Sequence, residues 1–117
     1  MALEHRFYGS SQPCMDWSKD NLDYYLTSRQ ALADVNYFIE QQNKLLLNTY
    51  KDGVTKRKWV VVGGSYPGAL VAWFRSQYPE SAVAAWSSSG VINAIKEFSA
   101  FDGDIFTATS KSGPECP

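Results

Sequence analysis

Histidine occurs once in these 117 residues, at His5, and cysteine only twice, at Cys14 and Cys116, with no C-x-x-C pair. A zinc centre draws three or four such side chains together, so ligands for one are in short supply. The formal charge is −1, with acids and bases interspersed. That balance removes the long-range electrostatic reason to expect nucleic acid or an anionic membrane as partner. No apolar run approaches the roughly 20 residues a spanning helix needs, and Trp59 to Val62 is strand-sized. The opening MALEHRFYG has no basic region followed by an apolar one, so no secretory signal is expected within the chain. Neither G-x-x-x-x-G-K-[ST] nor G-x-G-x-x-G occurs, and a phosphate would find little beyond a helix end to hold it. No N-x-[ST] acceptor is present either.

What remains is a chain that is 44% apolar and of a size for one globular domain rather than two. Residues 8–26 mix Gly, Pro, Ser, Asn and Asp with aromatics and keep no period, which predicts a loop. Thr27 and Gln30 fit a capping box: the threonine oxygen accepts from the third helical N–H while the glutamine reaches back. From Ser28 to about Leu47, Leu32, Val35, Phe38, Ile39, Leu45 and Leu46 recur near helical spacing. The polar NTYKDGVTKRK then turns at Asp52-Gly53 and carries Lys56 to Lys58 as a solvated basic tip. Trp59 to Val62 reads as a strand buried on both faces, and Ala69 to Tyr78 as a deeply buried helix stopped by Pro79. Ser81 to Gly90 reads as a second short buried strand running into a small-residue turn. The whole is a strand-helix-strand crossover with parallel strands. Val91 to Phe98 and Asp102 to Ser110 are weaker helical candidates. Cys14 and Cys116 leave two readings open, independent thiols or members of one or two disulfides of a secreted or lysosomal protein.

The stretch WVVVGGSYPGALVAWF, residues 59–74, places a serine between strand and helix. A hydroxyl is a poor nucleophile until a base takes its proton and donors await the oxyanion. A sharp strand-to-helix turn lifts that oxygen above the sheet, and the Tyr66 N–H then lies at a helix N-terminus. The backbone at such a turn is strained, and its neighbours must be small. Gly63 meets that demand two places before Ser65; two places after stands Pro67, with Gly68 following. Proline suits a first helical turn because its fixed φ and absent N–H cost nothing there. Spacing alone leaves a second reading open: Gly63 and Gly64 simply end the strand, Ser65 is an ordinary N-cap and Pro67 a helix starter.

Four blocks in order, EHRFYGSS, LTSRQALADVNYFI, GGSYPGALVAWFRSQYP and SKSGPEC, together resemble the serine peptidase family of lysosomal Pro-X carboxypeptidase, dipeptidyl peptidase II and thymus-specific serine protease. The likeness covers most of residues 4–116. It implies an α/β fold, specifically a partial α/β-hydrolase fold of parallel strands and crossover helices, with residues 1–117 as a single segment of the catalytic domain, truncated at both ends. By the family's GGSY motif, Ser65 is the nucleophile and the Tyr66 N–H the first oxyanion donor, within an elbow of Gly63, Gly64, Pro67 and Gly68. Pro67 stands where many members have glycine.

The implied activity is a serine exopeptidase that trims peptides beside proline or small residues through an acyl-enzyme. No cofactor or metal is implied. The partner is a peptide substrate, a homodimer of the full-length protein is compatible, and the location is lysosomal or extracellular. His5 precedes the serine, whereas the triad of this fold runs Ser, Asp, His along the chain, so Glu4, His5 and Arg6 are assigned a supporting role rather than the base. Asp102 and Asp104 are expected to cap a helix rather than serve as the triad acid. With the acid, the base and the second oxyanion N–H all expected outside these residues, the chain alone is expected to be inactive. Two alternatives follow: a catalytically dead fragment or partial gene model, or an esterase on the same fold.

Overall fold

The computed structural model describes residues 1–116. A short helix α1 spans Lys19–Tyr25, where the sequence predicts only loop. Its Ser18 hydroxyl accepts from the Asn21 N–H at 3.4 Å, and Asp20 sits in the first turn, where the helix dipole favours it. None of its seven residues is buried, so no apolar period marks it and the cap is its one signal in the sequence.

The long helix α2, Ser28–Thr49, begins where Thr27 predicts: the threonine hydroxyl accepts from the Gln30 N–H at 3.2 Å. The reciprocal half of the capping box is not made. Gln30 Oε1 reaches back only to the Thr27 hydroxyl, from which it accepts at 3.3 Å, and also accepts from the Arg6 guanidinium at 3.0 Å, a charged donor that outcompetes a backbone N–H. Past α2, the Val54 N–H donates to Asp52 Oδ1 at 3.2 Å and Gly53 takes φ +77°, which makes the expected turn. Arg57 in the basic tip is paired with Asp52 at 2.8 Å.

Strand β1, Val60–Gly64, helix α3, Tyr66–Gln77, and strand β2, Ala84–Ser88, form the expected crossover, with the strands parallel and in register from Val60 beside Ala84 to Gly64 beside Ser88. Trp59 stands just outside β1 and still ties the strand to its neighbour, its C=O accepting from Val83 at 2.8 Å. α3 covers one face of this two-stranded sheet, and α2 packs on α3. The core is Ala31, Leu32 and Ile39 from α2, Leu70 and Phe74 from α3, and Ala82, with Val35, Trp59, Val61, Trp73 and Tyr78 against it. Phe74 is fully enclosed and stacks on Tyr78, ring centroids 5.2 Å apart.

The sheet is not covered on both sides. Val61 faces the core, but Val60, Val62 and Trp86 lie open, the last two 65% and 67% exposed. The unalternated valines reflect a strand suited to two apolar faces, of which this chain covers one. The region after β2 departs from expectation as well. Residues 91–98 form no helix; the β-branched Val91, Ile92 and Ile95 are weak helix formers and are exposed, so neither propensity nor packing supports one there. Helix α4, Ser99–Ser110, has no buried residue. The radius of gyration is accordingly 18.9 Å, against about 13 Å for a compact domain of this length. Among the described residues no helix is long and apolar enough to cross a membrane.

Candidate active site at the strand-to-helix turn

Ser65 joins β1 to α3 with φ 59° and ψ −122°, one of three non-glycine residues at positive φ among the described residues, the others being Phe7 and Ser89. A Cβ is rarely tolerated there, and such conformations cost of order 1–3 kcal/mol unless the surroundings over-determine them. The surroundings do so. The Ser65 N–H donates to Ser88 O at 3.0 Å, and the Ser65 C=O accepts from Ala69 at 3.1 Å and from Val91 at 3.4 Å. The turn is thus bolted to the end of β2 and to the first turn of α3. By position Ser65 is the N-cap of α3, yet its hydroxyl makes no cap hydrogen bond and the residue is exposed. An ordinary capping serine has extended φ and ψ and spends its oxygen on the N2 or N3 amide; this one does neither.

Smallness is demanded at two positions. A Cβ on Gly63 would stand 2.2 Å from Pro67 O and 2.4 Å from Pro67 C, both backbone atoms that cannot step aside. On Gly68 it would meet Ser88 O at 2.8 Å and Gly90 Cα at 2.9 Å. Gly64 is under no such pressure, with Ser88 O at 3.8 Å. Pro67 is exposed in the first turn of α3, so the close approach that glycine commonly serves two places after the serine falls one place later, at Gly68. Proline at 67 therefore obstructs nothing.

Tyr66 is the first residue of α3, where backbone N–H groups have no intrahelical acceptor and the dipole presents partial positive charge. An anion held at this helix end would meet that charge. Burial pushes the Tyr66 phenol above its ordinary value, and the nearby Tyr8 phenol adds to the shift.

His5, expected to support the site rather than act as its base, contacts the Tyr66 side chain and the Arg6 backbone. His5 Nε2 lies 3.2 Å from the Tyr66 hydroxyl and Nδ1 lies 2.8 Å from Arg6 O, so both ring nitrogens have partners and neither is bonded to Ser65. Glu4 Oε2 accepts from the Ser11 N–H at 2.9 Å, and hydrogen bonding from Ser11, hydroxyl before backbone, holds the Glu4 carboxyl below its ordinary value. Arg6 donates to both oxygens of Asp34, at 2.6 and 2.7 Å, and to Tyr25 O at 2.7 Å. This block closes into a tight loop, fastened to α2, against the elbow. The elbow leans on Ser88 and Gly90, for which the run of small residues SSSG is the signal in the sequence.

The two aspartates are placed otherwise than expected. Phe98, not an aspartate, occupies the N-cap of α4, and Asp102 lies in that helix's first turn, where it complements the dipole. Cys14 and Cys116 are both free thiols, the first donating weakly to Asp16 O at 3.3 Å. Among the described residues no three His, Cys, Asp or Glu side chains gather as a metal site would require.

Comparison with known proteins finds similar sequence within far longer chains. The family model for serine carboxypeptidase S28 matches residues 1–117. A probable serine protease of Arabidopsis thaliana is 41% identical over 120 residues, covering 99% of this chain and 23% of that one. Human lysosomal Pro-X carboxypeptidase is 37% identical over 118 residues, covering 97% of this chain and 23% of that one. A protein of Arthroderma benhamiae named as a probable extracellular serine carboxypeptidase is 42% identical over 96 residues, 82% of this chain and 13% of that one. The chain therefore spans less than a quarter of the length of these three relatives.

Proposed function

The chain belongs to the serine carboxypeptidase S28 family, and on that premise we propose that Ser65 is the nucleophile of a serine exopeptidase built on the α/β-hydrolase fold. In this reading the Ser65 oxygen adds to the carbonyl of a peptide bond near a chain end. The Tyr66 N–H is one of two donors to the oxyanion, and collapse of that adduct leaves an acyl-enzyme for water to cleave. The amine leaves with the proton that the base took from the serine. A helix N-terminus at the site of developing charge costs no reorganisation at the moment of reaction.

The observation that carries the reading is the Ser65 backbone: an exposed non-glycine residue at φ 59° whose hydroxyl caps nothing. Nothing in helix starting calls for that conformation, and presentation of a nucleophile does. The base and the acid come from outside these residues. The one histidine has both ring nitrogens engaged and neither meets Ser65, which supports a base supplied from elsewhere.

The names of the relatives support the finer part of the proposal: peptides with proline beside the cleaved bond as substrates, and a lysosomal or extracellular setting. Hydrolysis of a proline-containing peptide and of a short acyl ester, by the full-length polypeptide carrying these residues and by its Ser65→Ala variant, tests it. Serine-dependent peptide cleavage is expected. Ester cleavage without peptide cleavage makes the protein an esterase, and peptide cleavage that survives Ser65→Ala removes the serine from the mechanism.

A further inference from the structure

We propose that His5 is a positioning residue for the elbow, its imidazole holding the Tyr66 phenol and, through it, the first turn of α3 that carries the Tyr66 N–H. The proposal rests on the reading of Ser65 as nucleophile. Its starting point is the pair of contacts on the two ring nitrogens. The Arg6 carbonyl can only accept, so Nδ1, 2.8 Å away, carries the proton of the neutral ring. Nε2 is then left as an acceptor, and the Tyr66 hydroxyl 3.2 Å away donates to it. The raised phenol keeps the proton this bond needs. The ring also lies against Tyr8 and Tyr66, with centroids 4.9 and 5.6 Å away, so its plane is fixed from two sides.

A positioning group is only as good as its own support, and this one stands on a stiff base. Its neighbour Arg6 spends four hydrogen bonds on Asp34, Tyr25 and Gln30, which joins the loop to α2 and to the end of α1. Phe7, next along, is buried at φ 67°, with its N–H on Ser11 O at 2.8 Å, while the Tyr8 N–H returns to His5 O at 3.0 Å. Strain of that kind persists only where the structure holds it. His5 therefore links one strained, pinned loop to a strained turn 60 positions away in the sequence.

The consequence is geometric. The peptide plane between Ser65 and Tyr66 carries the proposed oxyanion donor, and its orientation depends on the Tyr66 backbone. Anchoring the far end of the Tyr66 side chain narrows the rotations open to that backbone and so holds the donor in its direction. No other side-chain hydrogen bond reaches Tyr66 among the described residues.

The test uses the full-length polypeptide with His5→Ala, His5→Gln, Tyr66→Phe and the His5→Ala, Tyr66→Phe double variant. Two quantities are read: the rate at which a fluorophosphonate labels Ser65, and the hydrogen exchange of the Ser65 and Ala69 amides. Loss of one hydrogen bond slows labelling about fivefold in each single alanine or phenylalanine variant. Because both changes break one link, the double variant falls by about the same factor and not by its square. His5→Gln, whose amide reaches the phenol, labels within about twofold of the parent, a rescue that a general packing role would not allow. Exchange at the two amides quickens in step with the labelling loss.

Labelling at the parent rate in either single variant overturns the inference, as does a double variant that multiplies the two losses. Should His5→Ala not fold, Tyr66→Phe, which removes one oxygen, decides the matter alone. Should the parent itself resist labelling, the peptidase reading fails, and exchange still decides the clamp: unchanged exchange in His5→Ala overturns it.

Discussion

Replacing Ser65 by glycine stabilises the protein relative to replacing it by alanine, the reverse of the usual order. Both changes remove the hydroxyl, so any bond it makes cancels between them; they differ in the Cβ held at φ 59° and ψ −122°. Alanine keeps the strain of that conformation, of order 1–3 kcal/mol, and glycine releases it. Against this stands the greater freedom glycine loses on folding, about 0.5–1 kcal/mol. The difference leaves Ser65→Gly more stable than Ser65→Ala by about 1 kcal/mol, within a range of roughly 0–2.5. Urea unfolding of the two variants, followed through tryptophan fluorescence at equal protein concentration, reads it as a shift in midpoint at unchanged slope. The four tryptophans include Trp59 and Trp73, packed on the core beside β1 and α3, so the signal reports on this region. An alanine variant more stable than the glycine variant by about 0.5–1 kcal/mol, as at an ordinary helical site, refutes the claim that the turn is strained.

Gly63→Ala forces backbone apart around Pro67 and costs about 2–3 kcal/mol, while Gly64→Ala, with room beside Ser88, stays within about 0.5 kcal/mol of the parent; matched denaturation curves separate the two. Arg6→Lys keeps the charge but loses the fork on Asp34 and the bonds to Tyr25 and Gln30. The Asp34 side chain is 41% exposed, so water offsets part of the loss and the cost is about 1–2 kcal/mol, read by the same method. Thr27→Ala removes the cap of α2 and costs about 1 kcal/mol, with helical circular dichroism falling at lower urea. The Glu4 carboxyl sits below its ordinary 4.5 in the folded loop. Its contribution is therefore intact above that value and lost as pH falls through the lower folded value, so limited proteolysis of the 4–12 loop quickens only at the acid end; equal cleavage at pH 3 and pH 6 argues against the Glu4 to Ser11 link.

Much of this architecture was legible because it depends on local chemistry. Thr27 announced α2, the valines of 60–62 announced β1, and glycines at 63 and 68 announced a turn too tight for side chains. Elements with no such signature were less readable. α1 buries nothing, so periodicity is silent about it, and residues 91–98 carry apolar side chains that lie exposed. The second face of β1 misled for a related reason, since an apolar run records the environment a strand is suited to rather than how much of it one chain supplies. The capping glutamine was misjudged because its competitor, Arg6, lies 24 positions away. The link from His5 to Tyr66 crosses 61 positions and leaves no local mark; only folding brings the EHR block onto the elbow.

The most direct test of the account is to treat the full-length polypeptide with a fluorophosphonate and map the adduct by peptide mass spectrometry. A single stoichiometric adduct at Ser65, absent from the Ser65→Ala variant, is the result the account predicts. An intact, folded protein that cleaves peptides while Ser65 stays unmodified, or that carries its adduct on another serine, contradicts it.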